Sequence, residues 1–276
     1  MRLRTLAKKL PFAQDLRDAW EWASDSAGLA LRLRDPLVPP KWMFRDPNRI
    51  DGSRSPEEFL AIGRGTVGWL VDYEGLRPSH RFLDVGCGIG RMAVPLAAHL
   101  QTGRYHGFDI AKWKVAYCRR TVGRKRPDFQ FHHADVFNKY YNPRGRVRAC
   151  EYRFPFDDES FDFVLLVSVF THMLPADMEH YFAEIARVMS PGARCVISYL
   201  LVDSKKGPPW HSFSEVCDIA DPEEPEHGVA YLERYVTELY PKYGLRIEKL
   251  IPSKDRQKPD SNPRSPQDNI IAIKEK

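Results

Sequence analysis

Leu83-Asp84-Val85-Gly86-Cys87-Gly88-Ile89-Gly90-Arg91 joins a short apolar run, Arg81-Phe82-Leu83, to a helix-like run, Met92 to Ala98. Strand, glycine turn and helix in that order bring a helix N-terminus and tight main chain against a bound ligand. Glycine at 86, 88 and 90 lets the chain turn sharply and lets a ligand touch the backbone, because no Cβ intervenes. A dinucleotide-binding turn would place its third glycine at position 91, for close helix–strand packing. Arg91 stands there instead. A Walker phosphate loop needs Gly-Lys-Ser/Thr, which does not follow.

The next three segments narrow the ligand. Tyr105-His106-Gly107-Phe108-Asp109-Ile110 reads as a second strand ending in an acid, placed to accept ribose hydroxyls. Phe129 to Val136 reads as a third strand, with Asp135 near its end able to accept from an adenine amino group. Phe161 to Ser168 is apolar enough for a fourth, fully buried strand. Acids at successive strand ends suit a cationic ligand without phosphate, since a pyrophosphate would be repelled by them.

Here the chain resembles the class I S-adenosylmethionine-dependent methyltransferases. Asp84 to Gly90 matches that family's acid followed by Gly-x-Gly-x-Gly. Asp109 matches its ribose acid and Asp135 its adenine-site acid. Phe154 to Val164 matches its post-strand pattern, and Tyr181 to Ala193 its downstream helix and strand. These matches run in order from about Leu76 to the C-terminus. The resemblance implies S-adenosyl-L-methionine as cofactor, held by Asp84, Gly86, Gly88 and Gly90, by Asp109 with Ile110, by Asp135 with Val136, and bordered by Ser168. It also implies an α/β fold: a doubly wound, mostly parallel, seven-stranded sheet with an antiparallel C-terminal strand and an N-terminal helical extension.

Composition sets bounds. A chain of 276 residues with 43% hydrophobic content can build one domain with additions. No stretch approaches the roughly 20 apolar residues of a membrane span, and no secretory signal is visible. Five cysteines without a Cys-x-x-Cys pair argue for a reducing, cytoplasmic setting and against structural zinc. Cys87 reads as a small side chain that fits the glycine loop. The net charge of +5 is too mild to define a nucleic-acid partner. Two basic clusters are denser, Arg119 to Arg126 and Arg144 to Arg148. The first follows a helix beginning at Lys112, with Gly123 as its C-cap, where cations complement the helix dipole.

Along the chain, residues 1–75 read as a helical extension or cap, and residues 76–276 as the Rossmann-like domain with substrate-side insertions near 138–153 and 203–230. Ala13 to Arg34 is helix-like, and a second helix runs from Ser55 or Pro56 to Tyr73 with Ser55 as N-cap. The first ten residues, with leucines among basic side chains, suit either a packed terminus or weak contact with an anionic membrane face. Strand and helix then alternate, as a parallel doubly wound sheet requires. Asn138 to Arg153 is a polar, basic insertion with a turn at Asn142-Pro143-Arg144-Gly145. Cys195 to Leu201 is a fifth strand. Asp203 to Gly228 reads as a long irregular lid or substrate wall. Tyr231 to Tyr243 reads as a helix, and Leu245 to Ile251 with Asn269 to Ile273 as a closing hairpin.

A hydroxyl acceptor needs a base, because its proton must leave during or after attack. His172 follows the fourth strand, where ligands of such sheets bind, and histidine suits proton transfer near neutral pH. It is the candidate base; the competing reading packs it beneath the helix that begins near Pro175. His132 and His133 fit a core or cofactor-edge position, while His211 and His227 lie in the lid-like stretch. No pair of histidines has metal-ligand spacing. Val167-Ser168-Val169-Phe170 lacks the Pro-Pro-aromatic motif of enzymes that methylate base amines, and no cysteine lies between Cys150 and Cys195 to serve a cytosine-C5 enzyme. Both gaps argue against a nucleic-acid acceptor. The expected activity is O-methylation of a small molecule or sugar hydroxyl, a glycan included. A polyanion-directed methyltransferase using the two basic clusters and a non-catalytic cofactor-binding module are the alternatives.

Overall fold

The computed structural model describes residues 37–40, 43–44, 53–207, 209–253 and 267–276. The expected helix Ala13 to Arg34 and the basic N-terminus lie outside them. Contacts divide the chain into residues 1–61 and 62–276. Helix α1 spans Pro56–Asp72 and starts where the sequence places it. Ser55 Oγ accepts the Glu58 N–H at 3.1 Å, and the Glu58 carboxylate accepts the Arg54 N–H at 2.6 Å. This is a variant of the reciprocal cap that satisfies the first free N–H groups of a helix.

The larger unit follows the alternation expected of it. Strand β1 (Arg81–Val85) leads to α2 (Ala93–His99), β2 (Arg104–Asp109), α3 (Lys112–Arg120), a short α4 (Val122–Lys125) and β3 (Phe129–His133). After the first insertion come β4 (Phe161–Leu166), α5 (Pro175–Val188) and β5 (Met189–Tyr199). The hairpin of β10 (Leu245–Ile251) and β11 (Asp268–Lys274) closes a seven-stranded sheet in the order β10-β11-β5-β4-β1-β2-β3. Only β11 runs against its neighbours. An antiparallel strand can follow a hairpin turn, whereas each parallel neighbour needs a crossover helix.

The sheet centre is largely apolar, as strands covered on both faces must be. One face carries an aromatic ladder across four strands, fixed by register. Phe82 is paired with both Phe163 and Tyr105, and Tyr105 with Phe129. The ring centroids lie 5.4, 6.0 and 4.8 Å apart. Each such pair adds about 0.5–1.5 kcal/mol beyond burial.

Three expectations are corrected here. Gly123 lies inside α4 and does not cap α3; the break falls at Thr121, whose hydroxyl turns back onto the Tyr117 carbonyl at 2.9 Å. Asp203 to Gly228 is not wholly irregular. It contributes β7 (His211–Ser212) and β8 (Cys217–Ile219) to a second sheet, ordered β6-β9-β8-β7, with β6 at Leu201–Val202 and β9 at Val229–Leu232. The helix expected from Tyr231 therefore starts later, as α6 (Glu233–Lys242), because Tyr231 and Leu232 complete β9. Among the described residues, no helix is long and apolar enough to cross a membrane.

Candidate functional site

The expected ligand-binding residues gather at the carboxyl ends of β1, β2, β3 and β4. Between β1 and α2, Gly86, Gly88 and Gly90 have φ of 73°, 55° and 87°, in the left-handed region that favours glycine. The loop's own hydrogen bonds then discriminate between ligands. Gly86 and Cys87 both donate to the Phe108 carbonyl, at 2.9 and 3.0 Å, and Gly90 donates to the Cys87 carbonyl at 3.0 Å. Gly88 donates to Asp109 Oδ2 at 2.9 Å. Four N–H groups that would cradle a phosphate are thus satisfied within the protein. The loop offers a close-approach surface rather than an anion nest, in keeping with Arg91 at the failed third-glycine position.

Asp109 is the organiser of this corner. Oδ2 accepts from Gly88, and Oδ1 accepts from the Ala111 N–H at 2.7 Å. These two bonds orient the carboxylate at the end of β2. Ile110 beside it accepts from His133 Nε2 at 3.1 Å through its carbonyl. Asp84 lies lower, buried at strand level, and takes the Tyr105 hydroxyl at 2.7 Å. Any influence of Asp84 on a ligand passes through the loop above it. Asp135 is bound to the first insertion: Arg146 Nε lies 2.5 Å from Oδ2 and holds the carboxyl below its usual range. Val136 is buried and paired with Val147.

Beyond β4, Ser168 has φ of 58°, rare for a residue with a side chain. Such strain persists only where surroundings over-determine it, and functional sites are where it collects. Here the Ser168 N–H donates to Ser198 Oγ at 2.8 Å, and both serine hydroxyls donate to Gln267 Oε1, at 3.0 and 2.6 Å. Val169 follows, packed against Gly86, and opens the 3-10 turn Phe170–His172.

His172 Nδ1 lies 3.0 Å from the Glu226 carbonyl oxygen. A carbonyl only accepts, so Nδ1 carries the proton and the neutral ring has its lone pair at Nε2. Burial holds the imidazole below its ordinary pKa, against the opposing pull of that hydrogen bond. The Tyr141 ring meets it edge-on, with centroids 5.8 Å apart, and the buried Lys114 ammonium lies 5.8 Å from the Tyr141 ring centre. The second sheet braces the same turn, with Tyr231 donating its hydroxyl to the Met173 carbonyl at 2.6 Å.

Sequence reasoning missed Asn138, Tyr141, Lys114 and Glu226, and with them the meeting of the two insertions. Lys139 Nζ reaches the Glu223 carbonyl at 3.0 Å, joining the turn after β3 to the 3-10 turn Pro225–His227. Of the remaining histidines, His132 is hydrogen-bonded to His106 at 3.1 Å, His133 Nε2 lies 3.1 Å from the Ile110 carbonyl oxygen, and His211 is exposed on β7. The first basic cluster is partly structural: Arg119 Nε donates to the Phe131 carbonyl at 2.7 Å, and Arg126 clasps Asp128 and the Ala97 and Leu100 carbonyls. Among the described residues, no cluster of histidine, cysteine and acids has the makings of a metal site.

A doubly wound sheet of this order, with a glycine loop after β1 and an acid closing β2, defines a Rossmann-like nucleoside-binding domain. Residues 82–192 match the family described as "Methyltransferase domain". The O-methyltransferase cnsE of Penicillium expansum is 35% identical over 123 residues, 44% of this chain and 38% of that protein. The chain spans about a third of the length of the curated relatives it matches. The PH0226 protein of Pyrococcus horikoshii aligns over 85% of this chain and 98% of its own, with a TM-score of 0.55 and 16% identity. The 1,6-didemethyltoxoflavin-N1-methyltransferase of Burkholderia thailandensis, solved with S-adenosylhomocysteine, aligns over 79% and 80% with a TM-score of 0.50 and 16% identity. These two structural likenesses speak for the fold.

Proposed function

We propose that this protein transfers a methyl group from S-adenosyl-L-methionine to a hydroxyl of a small molecule or glycan. The observation that carries the reading is His172: it follows the carboxyl end of β4, its Nδ1 is held by the Glu226 carbonyl, and its turn packs through Val169 against the glycine loop. The cofactor fits the corner on chemical grounds. The loop's N–H groups are satisfied internally, which suits a ligand without phosphate, and Asp109 closes β2, where an acid can accept from a ribose diol. Asp109, at the end of β2, favours a ligand that carries positive charge.

Bound there, the cofactor supplies a methyl group on a sulfonium, already electrophilic. The protein's own part is placement, exclusion of water and proton removal. Holding the acceptor oxygen in line supplies much of the barrier reduction, with effective molarities of about 10⁵–10⁸ M for well-oriented groups. With donor and acceptor so held, His172 would take the hydroxyl proton as the acceptor oxygen is methylated. Depression of the imidazole's pKa keeps it in the neutral, accepting form at physiological pH.

The surroundings support an uncharged acceptor over a polyanion. The turn facing His172 carries Asp221, Glu223, Glu224 and Glu226, and Arg119 and Arg126 are already engaged within the fold. The name of the Penicillium relative supports oxygen as the acceptor atom. The domain division belongs to the same proposal, with 1–75 as an extension and the insertions near 138–153 and 203–230 on the acceptor side. Calorimetry with S-adenosylmethionine, on the native chain and on Asp109→Ala, tests the cofactor; binding that Asp109→Ala leaves intact would sink it. Label transfer from the methyl donor into fractionated extracts of the source cell finds the acceptor.

A further inference from the structure

We propose that Gln267 is a positioning residue: together with Ser198 it holds Ser168 in a left-handed backbone conformation and so seats the turn that carries His172 against the glycine loop. The inference rests on the reading of that loop as the cofactor site. It begins with the backbone. Among the described residues, two other than glycine have positive φ, Glu159 at 56° and Ser168 at 58°. Glu159 lies in an exposed turn, whereas Ser168 is partly buried just beyond the carboxyl end of β4. A Cβ disfavours this conformation, so something must hold it. Three hydrogen bonds do. The Ser168 N–H donates to Ser198 Oγ at 2.8 Å, the Ser168 hydroxyl donates to Gln267 Oε1 at 3.0 Å, and the Ser198 hydroxyl donates to the same oxygen at 2.6 Å. A hydroxyl has one proton to give, and both serines spend it on Gln267. What Ser168 contributes to the site is therefore the direction of its main chain rather than a hydroxyl donor.

The backbone that carries Gln267 is itself pinned. Gln267 directly precedes β11, which pairs antiparallel with β5 so that Asn269 stands opposite Ser198. The buried Asn269 donates its side-chain amide back to the Gln267 carbonyl at 3.1 Å. The Asp268 carboxylate accepts the Leu201 and Ser253 N–H groups, each at 2.8 Å. From this fixed base the Gln267 amide reaches a residue 99 positions away in the chain. The consequences then run outward from Ser168. Val169, the next residue, packs its side chain against Gly86 and opens the 3-10 turn Phe170–His172. The His172 N–H closes that turn on the Val169 carbonyl at 2.9 Å. A Ser168 relaxed to negative φ would swing Val169 off Gly86 and carry His172 with it. Neither Gln267 nor Ser198 need touch cofactor or acceptor to act this way. The antiparallel strand thus gains a part in the site besides closing the sheet.

The test asks whether Gln267 acts through the Ser168 backbone. Gln267→Met removes the acceptor oxygen at similar length, and Gln267→Glu keeps one. Ser168→Gly loses the hydroxyl but adopts positive φ readily, whereas Ser168→Ala loses the hydroxyl and keeps the strain. The readouts, on the full chain, are S-adenosylmethionine affinity by calorimetry and hydrogen exchange at the His172 amide by NMR. Gln267→Met should bind the cofactor about tenfold more weakly and exchange faster, and Ser168→Ala should lose more than Ser168→Gly. Gln267→Glu should restore near-native values. In the Ser168→Gly background, Gln267→Met should cost about twofold or less, because no strained residue remains to be held. Native affinity and exchange in Gln267→Met, an equal loss from it in both backgrounds, no rescue by Gln267→Glu, or Ser168→Gly worse than Ser168→Ala would each overturn the proposal. If Gln267→Met does not fold, Ser198→Ala, which breaks two of the three bonds, takes its place under the same criteria for loss and background. The cofactor reading is judged separately: a native chain that binds no S-adenosylmethionine removes it, and exchange at His172 still decides the role of Gln267.

Discussion

Gly86 and Val169 are fitted so closely that a Cβ on Gly86 would stand 2.5 Å from Val169 Cγ2. One residue belongs to the cofactor loop, the other opens the turn that carries His172. The two halves of the proposed reaction therefore share a van der Waals contact. Gly86→Ala should fail twice over, by this clash and by its φ of 73°. A loss of about 1–3 kcal/mol in stability and at least a tenfold loss in cofactor affinity are expected. Adding Val169→Ala removes the clash but not the backbone strain, so part of both losses should return. Calorimetry and thermal melts on the single and double variants check this; strictly additive effects would mean that the contact does not couple the two elements.

The pH dependence of turnover should reflect the burial of His172. Its pKa is held below the ordinary 6.5, chiefly by desolvation. The imidazole accepts a proton only when neutral, so activity should remain level as pH falls through 6.5 and drop only below it. His172→Ala should lower kcat by about 10²–10⁴ and abolish that acidic limb, leaving cofactor affinity near native. A limb centred at 6.5 or above in the native protein would mean that the base is solvent-exposed or is another group.

Much of the cofactor side was legible in the sequence, and the acceptor side was not, for a physical reason. Strand β1, the glycine turn and Asp109 are encoded by local signals: an apolar run, positions that need positive φ, and an acid at a strand end. The second sheet escaped because β7 has two residues and β8 three, too few to display alternation. Proline and acids between them looked like loop. The apolar run Val229 to Leu232 merged with the helix behind it. His172 was visible from its place after β4, but Glu226 meets it only in three dimensions, through a backbone carbonyl. No residue type at any spacing announces a carbonyl acceptor. Gly123 misled because a glycine after a basic helix resembles a cap, whereas here a second helical turn follows.

Glu74, just beyond α1, anchors that helix to the far side of the sheet. Its side chain is fully buried, and it pairs with Arg194 of β5 at 3.0 Å and Lys249 of β10 at 3.1 Å. Burial pushes its carboxyl pKa up, against the pull of both cations. Removing one partner of a buried ion pair costs about 3–5 kcal/mol when the remaining charge is trapped. Arg194 and Lys249 are partly exposed and can regain water, so Glu74→Ala should lie near the lower end, about 3 kcal/mol. Glu74→Gln, which keeps acceptor and volume, should cost less. Denaturant titration measures both; losses under about 1 kcal/mol would show that the pair only offsets its own desolvation.

The His106–His132 pair gives the fold an acid sensitivity of its own. The rings are hydrogen-bonded, Nδ1 to Nε2 at 3.1 Å, and lie among Phe156 and Phe161. Desolvation, then the neighbouring His132 and Arg104, lowers the pKa of His106 to about 4. In the unfolded chain the same group titrates near 6.5. Between these values the unfolded state binds more protons, so stability is full above pH 6.5 and is lost as pH falls toward 4. Allowing for partial solvent access, His106 alone should account for about 2 kcal/mol of that loss. His106→Phe, which retains an aromatic ring against Phe156 without a titrating nitrogen, should flatten the stability profile between pH 6.5 and 4 and leave turnover at pH 7.5 unchanged, since the half-buried pair packs against Phe156 and not against His172. Urea melts at intervals across that range supply the test. A slope that persists in His106→Phe would assign the acid sensitivity to carboxylates instead, which lose their native pairing at lower pH.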